Sequence, residues 1–323
     1  MATFIQRSHE DLPAIRDELI FGLQSPTAFT SPKYLYDALG SKLFEAICEV
    51  PEYYPTRTEA AIFAMHAEHI AASVGEGHTM IDLGAGNCAK AARLFSVLKP
   101  SQYVPVDISV EFLREAVGQL QQRFPVMNIT ALGIDFSTEF ALPDEVDSAQ
   151  RLFFYPGSSI GNFTPTEATA FLARIAQACG PQGDLLISVD LVKAKHLLDA
   201  AYDDALGVTA AFNLNVLHHL NYLLGADFKI PQWRHVGFFN PQESRIEMHL
   251  EAREAVSVTW HSGGGGQRQF AAGERIHTEN SYKYTQQSFV AVLKAAGFEA
   301  RTIWTDPQEW FMVCHAAKGH SLR

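Results

Sequence analysis

The stretch His78-Thr79-Met80-Ile81-Asp82-Leu83-Gly84-Ala85-Gly86-Asn87 decides the fold of this chain. Apolar residues after a polar pair read as the end of a buried strand. Two glycines one residue apart let the backbone turn tightly and come close to a ligand. Lys90 to Leu98 continues as a helix. Twenty-one residues after Gly86, Asp107 closes a second strand, Tyr103-Val104-Pro105-Val106-Asp107. A carboxylate at that point can accept hydrogen bonds from ribose hydroxyls. The pattern implies a nucleotide-type cofactor at the carboxyl ends of a parallel sheet.

The glycines do not choose between cofactors. Gly84-Ala85-Gly86-Asn87-Cys88-Ala89 also satisfies the dinucleotide pattern G-x-G-x-x-G/A. Asp82, two residues before the first glycine, tilts the reading toward S-adenosylmethionine enzymes, because dinucleotide folds usually keep that strand end apolar.

The 323 residues suffice for one large domain or two modest ones, and 47% hydrophobic with 19% charged residues is ordinary for a globular enzyme. A net charge of −11 with no basic stripe argues against nucleic acid or an anionic membrane as a partner. No run approaches the apolar length of a membrane span, and Met1–Arg7 lacks the pattern of a signal peptide. Cys48, Cys88, Cys179 and Cys314 are scattered, which implies free thiols in a reducing cytoplasm and no metal site. The oligomeric state stays open, with a monomer as the working expectation.

From Thr79 the chain alternates: strand Thr79–Leu83, helix Lys90–Leu98, strand Gln102–Asp107, helix Val110–Arg123, strand Asn128–Gly133. Leu152–Tyr155 and Asp184–Val189 add strands, with a helix opened by Thr164-Pro165-Thr166-Glu167 between them. This is an α/β fold with a mainly parallel, twisted sheet. The first sixty residues read as lying outside that sheet, with helices over Leu12–Leu23 and Ser41–Val50. Thr56-Arg57-Thr58-Glu59 reads as a capping box opening a helix through Ile70. His196–Leu224 reads as one long helix and Arg245–Thr259 as antiparallel strand, with Gly263–Gly266 as a turn into Gln267–Ala271. Ser288–Ala296 is a helix, and Arg301–Thr305 and Trp310–Ala316 are closing strands. The interrupted alternation predicts a cofactor domain over 60–192 and 288–323, with 1–59 and 193–287 forming a smaller α+β substrate-binding cap over the cofactor site.

Three further segments carry chemistry. The loop Gly157-Ser158-Ser159-Ile160-Gly161-Asn162 follows the fourth strand, beside the point where ligands bind in open α/β sheets. Its small residues allow close approach, and Asn162 offers both a donor and an acceptor. Asp135-Phe136, after the third strand, can set a carboxylate and an aromatic edge against an adenine. In His277-Thr278-Glu279-Asn280-Ser281-Tyr282, an extended backbone puts Glu279 and Ser281 on one face and Asn280 on the other. A carboxylate and a hydroxyl together suit a ligand with hydrogen-bond donors, such as an imidazole. Tyr36, Tyr54 and Tyr202 are ambiguous singly, since buried tyrosines with satisfied hydroxyls are common.

Four segments together carry a resemblance: Tyr36-Asp37-Ala38-Leu39-Gly40-Ser41-Lys42-Leu43-Phe44, Pro51-Glu52-Tyr53-Tyr54-Pro55-Thr56-Arg57-Thr58-Glu59, Tyr155–Phe163 and Glu274–Ser281. They resemble the histidine-specific S-adenosylmethionine-dependent methyltransferases, from about residue 25 to the C-terminus. The resemblance implies a Rossmann-like class I methyltransferase that trimethylates the α-amine of L-histidine to hercynine, the first step toward ergothioneine. It implies that Gly84, Gly86, Lys90, Asp107, Asp135 and Phe136 hold S-adenosylmethionine, with Tyr36 close to the reacting centre. Tyr54, Asn162 and Tyr202 would hold the carboxylate and amine, while Glu279, Ser281 and Met248 would form the imidazole pocket. Asn280 departs from members with an apolar residue there; facing away from the ligand, it is not expected to change the substrate. The alternatives are a same-fold methyltransferase acting on another amino acid or amine, a dinucleotide-dependent oxidoreductase, and a non-catalytic protein that senses S-adenosylmethionine or histidine.

Overall fold

The computed structural model describes residues 2–6, 11–136 and 141–319. Its strands are β1 Thr3–Gln6, β2 Ala28–Phe29, β3 Thr79–Leu83, β4 Gln102–Asp107, β5 Thr130–Gly133, β6 Arg151–Tyr155 and β7 Asp184–Asp190. They continue with β8 Trp233–Asn240, β9 Arg245–Ala252, β10 Val256–Trp260, β11 Gly266–Phe270, β12 Arg275–Tyr282, β13 Phe298–Thr305 and β14 Phe311–Lys318. The helices are α1 Leu12–Gln24, α2 Ala38–Glu49, α3 Tyr54–Val74, α4 Ala89–Ala92, α5 Phe95–Leu98 and α6 Val110–Arg123. α7 Pro165–Ala178, α8 Lys195–Tyr202, α9 Val208–Leu224 and α10 Gln286–Ala295 complete them. The chain divides into two compact units, one of residues 1–9, 55–192 and 282–323, the other of residues 10–54 and 193–281.

The first unit is built on a sheet of order β1-β5-β4-β3-β6-β7-β14-β13. The six strands from β1 to β7 in that order run parallel. β14 is antiparallel to β7, and β13 to β14. Side chains of the inner strands alternate between two cores. Ile81, Leu83, Val104, Phe153 and Ile187 meet Phe171 and Ile175 of α7 and Phe289 of α10. Met80, Tyr103, Phe154 and Leu186 meet Ile62 of α3 and Leu113 of α6. Every residue of β3 is buried, as expected of a parallel strand covered on both faces. The strand order reverses at β3, so ligand chemistry belongs at the carboxyl ends of β3 and β6.

The second unit holds a four-stranded sheet, β2-β12-β9-β8, and the separate hairpin β10-β11 closed by the tetraglycine turn. Helix α9 packs on α1, α2 and the β8–β9 hairpin, and α8 packs on the same hairpin.

Several expectations change. Thr3–Gln6 joins the main sheet as an edge strand on β5, although the N-terminal segment reads as lying outside it; four residues are too few for alternation to be seen. Helix α3 starts at Tyr54, so Thr56 and Glu59 lie within its first two turns rather than forming a capping box. The helix expected over His196–Leu224 is two helices. Gly207 breaks it at φ +75°, and Asp204 caps α9 by accepting the backbone N–H groups of Val208 and Thr209 at 3.0 and 2.7 Å. The segment Arg245–Thr259 is likewise two strands, β9 and β10, in different sheets. The capping box opening α7 forms as read, with Thr164 and Glu167 exchanging hydrogen bonds.

Candidate active site

In the first unit, the carboxyl ends of β3, β4, β5 and β6 carry seven of the residues singled out from sequence: Gly84, Gly86, Lys90, Asp107, Asp135, Phe136 and Asn162. The glycine turn runs through left-handed backbone at Gly84 and Gly86, φ +68° and +52°, where a side chain would be strained. The N–H groups of Gly84 and Ala85 both donate to the Val106 carbonyl, at 2.9 and 3.1 Å, which ties the turn to the neighbouring strand. Asp107 is fixed by two backbone donors: Gly86 N–H reaches one carboxylate oxygen and Ser109 N–H the other, each at 2.9 Å. Burial raises its pKa, and those N–H groups oppose the rise. The Phe136 ring lies beside the turn, with a Cβ at Gly84 falling 3.9 Å from its Cζ. It packs edge-on against Tyr155 at 6.0 Å between centroids.

Asp82, the residue that tilts the sequence reading, is 1% exposed. Tyr103 donates to its Oδ2 at 2.6 Å, while Oδ1 is buried with no hydrogen-bond partner among the described residues. Burial lifts its pKa to about 7, against the lowering hydrogen bond of Tyr103 and the charge of Lys90. A carboxyl in that state can gain a proton or a cationic ligand.

Glu59 reads from sequence as part of a capping box and not as a site residue, yet it ties this end of the sheet together. Its carboxylate, 1% exposed, pairs with Lys90 Nζ at 2.7 Å. It also accepts the Gly157 N–H at 2.6 Å and a short hydrogen bond from the Ser188 hydroxyl. One carboxylate from α3 therefore holds α4, the loop after β6 and strand β7. Gly157 is required where it stands, because its φ is +80° and a Cβ there would come within 2.8 Å of Lys90 Nζ. Ser158 Oγ accepts the Asp190 N–H at 2.9 Å, and Asp190 is paired with the fully buried Lys283 at 2.8 Å. Asn162 closes the 3₁₀ turn Ser159–Asn162 after this loop.

In the second unit, Tyr36, Tyr202, Met248 and Glu279 line one small cavity together with Phe44, Tyr53 and Phe212. Tyr36 meets Phe44 and Phe212 edge-on, at 5.5 and 5.4 Å between centroids. Tyr53 meets Tyr202 in the same way at 6.0 Å. Asp37 sets the entry to α2, accepting Gly40 N–H at 2.6 Å and the Asn215 side-chain amide at 2.8 Å. Glu279 is 7% exposed. Burial pushes the Tyr53 hydroxyl well above its ordinary pKa, reinforced by the nearby Tyr202, Cys48, Tyr36 and Glu279. Ser281 stands at the edge of this group, where its Oγ pairs with the Tyr202 hydroxyl at 3.0 Å. Asn280 turns instead to His277, 2.9 Å away. Tyr54 is buried beside this wall, and Lys193 Nζ donates to its hydroxyl at 2.7 Å.

Sequence reasoning missed Phe44 and Phe212, helix aromatics that also read as core, and Tyr53, which lies just before α3. It passed over Lys193 as well, although a lysine just beyond the carboxyl end of β7 is a signal of position. The four cysteines are free thiols. Among the described residues no helix is long and apolar enough to cross a membrane.

Comparison with known proteins settles the kinship. The family described as histidine-specific methyltransferase, SAM-dependent, matches residues 15–318. The chain is 39% identical over 298 residues to the histidine N-alpha-methyltransferase of Mycolicibacterium smegmatis, covering 91% of this chain and 92% of that protein. Its counterpart in Mycobacterium tuberculosis is 38% identical over 94% of this chain and 95% of its own length. Ergothioneine biosynthesis protein 1 of Neurospora crassa is 30% identical over 85% of this chain, which corresponds to 32% of that larger protein. A mainly parallel sheet with a glycine turn and strand-end acid, joined to a second unit with an aromatic-walled acidic cavity, is thus the form taken here by a member of the histidine-specific, S-adenosylmethionine-dependent methyltransferases.

Proposed function

We propose that the chain transfers three methyl groups from S-adenosylmethionine to the α-amine of L-histidine, giving hercynine as the first step toward ergothioneine. The observation that carries this reading is the buried carboxylate of Glu279 in a cavity walled by Tyr36, Phe44, Tyr53, Tyr202 and Phe212. Such a carboxylate suits an imidazole N–H donor, with aromatic faces alongside the ring.

The first unit suits the methyl donor. The partnerless Oδ1 of Asp82 matches a cationic ligand, and the fixed Asp107 carboxylate matches a pair of ribose hydroxyls. Gly84, Gly86, Lys90, Asp135 and Phe136 complete the assigned set. When bound, S-adenosylmethionine supplies a methyl group activated for in-line displacement by an amine.

The protein's own share is positioning, which in well-oriented systems contributes roughly 7–11 kcal/mol. Glu279, Ser281 and Met248 hold the imidazole; Tyr54, Asn162 and Tyr202 hold the carboxylate and amine. The nitrogen grows bulkier with each transfer, so the firmest contacts belong at the carboxylate and imidazole, with few fixed donors at the nitrogen. Tyr36 is assigned to steer the amine and pass its proton to water. The working context is a monomer in the cytoplasm with small-molecule partners only.

The test is competition. Purified protein receives S-adenosylmethionine and an equimolar mixture of free amino acids, and products are read by mass spectrometry. Methylated histidine as the sole product supports the reading. A different methylated amino acid overturns the assignment of Glu279, and cofactor binding without any product favours a sensor.

A further inference from the structure

We propose that Lys193 is a positioning and specificity-determining residue that equips Tyr54 to receive the substrate's carboxylate. This rests on the reading that Tyr54 meets that carboxylate. Lys193 Nζ lies 2.7 Å from the Tyr54 hydroxyl oxygen and 4.4 Å from the centre of its ring.

The direction of that hydrogen bond follows from chemistry. An ammonium group has three donors and no acceptor, so the tyrosine oxygen accepts and its own proton remains a donor. A phenol that accepts from a cation is a stronger donor in turn, as hydrogen-bonded groups polarise one another. The arrangement therefore orients Tyr54 as a donor, the polarity a carboxylate requires.

Charge points the same way. Tyr54, Asn162 and Tyr202, the side chains assigned to the carboxylate and amine, are all neutral, and an anion taken from water without a cation nearby is costly. Lys193 brings a positive charge to the far side of the Tyr54 hydroxyl while that tyrosine itself is 2% exposed. Its place in the chain suits the task. It lies three residues beyond the end of β7, and the helix it leads into, α8, carries Tyr202. One short segment thus delivers both the charge and a tyrosine of the cavity.

The test compares L-histidine with L-histidinamide, whose carboxamide is neutral, in wild type, Lys193→Met and Lys193→Arg. Loss of a charge-assisted contact corresponds to roughly a 10- to 100-fold rise in KM for histidine. In Lys193→Met that rise is expected with kcat changed far less and KM for S-adenosylmethionine unchanged. KM for histidinamide should stay within about twofold, so the preference for the acid over the amide shrinks, and Lys193→Arg should recover most of it. In a Tyr54→Phe background, Lys193→Met should add little. Equal losses for histidine and histidinamide would show a structural prop and overturn the proposal, as would a Lys193→Met enzyme that keeps the wild-type preference. If Lys193→Met fails to fold, Lys193→Gln carries the same comparison. A wild-type enzyme inactive on histidine would instead defeat the functional reading itself.

Discussion

Asp82→Asn gives the sharpest test of how the cofactor end of the first unit is built. The Asp82 carboxyl is buried near the end of β3, with one oxygen bonded to Tyr103 and the other without a partner among the described residues. Its pKa is raised from an ordinary 3.8 to about 7, chiefly by burial. The native state therefore binds this proton more tightly than the unfolded chain does. The stability it contributes is full below the unfolded value and is lost as pH rises through about 7. That interval corresponds to roughly 4 kcal/mol in all, about 3 of it between pH 5 and pH 8.5. Asparagine keeps an acceptor for Tyr103 and carries no charge. Urea unfolding of the ligand-free protein should show Asp82→Asn gaining about 3 kcal/mol relative to wild type on going from pH 5 to pH 8.5. Affinity for S-adenosylmethionine should fall in the same variant if, as proposed, that carboxylate meets the cationic donor. A difference in stability between the two proteins that is the same at both pH values would refute the reasoning.

Two other substitutions probe the two units one at a time. Glu279→Gln keeps the shape of the cavity and removes its charge; KM for histidine should rise roughly 10- to 100-fold with S-adenosylmethionine affinity unchanged, and equal loss of both would count against the imidazole role. Glu59→Gln breaks the pairing with Lys90 and weakens the hydrogen bonds from Gly157 and Ser188. Urea unfolding should show a loss of about 2–3 kcal/mol, and calorimetry a weaker affinity for S-adenosylmethionine; unchanged values in both would mean that the cluster is incidental.

What the sequence discloses here follows from how locally each feature is determined. β3, β4 and α6 are legible to the residue, since continuous apolar runs or a helical stripe are bounded by turn residues on both sides. β1 and β2, of four and two residues, owe their existence to partners far along the chain. β8 escaped notice because Gly237 interrupts its alternation. Among the candidate site residues, the glycine turn and Asp107 announce themselves by spacing, whereas Tyr36, Tyr202 and Met248 carry no local signal and rest on resemblance. Glu59 was hidden by a competing pattern. The sequence Thr56-Arg57-Thr58-Glu59 satisfies a capping box, but the helix begins at Tyr54 and frees the glutamate for Lys90. Lys193 shows the converse, a charge whose meaning depends on the hydroxyl it meets.

The central claim is that this chain methylates histidine at its α-nitrogen and continues to the quaternary stage. The most direct measurement is an NMR spectrum of the product formed from L-histidine and S-adenosylmethionine carrying a ¹³C-labelled methyl group. The account predicts a single labelled resonance from three equivalent methyl groups on the α-nitrogen, with both ring nitrogens unmodified. A labelled methyl group on the imidazole, or a product that stops at one methyl group with excess donor present, would contradict it.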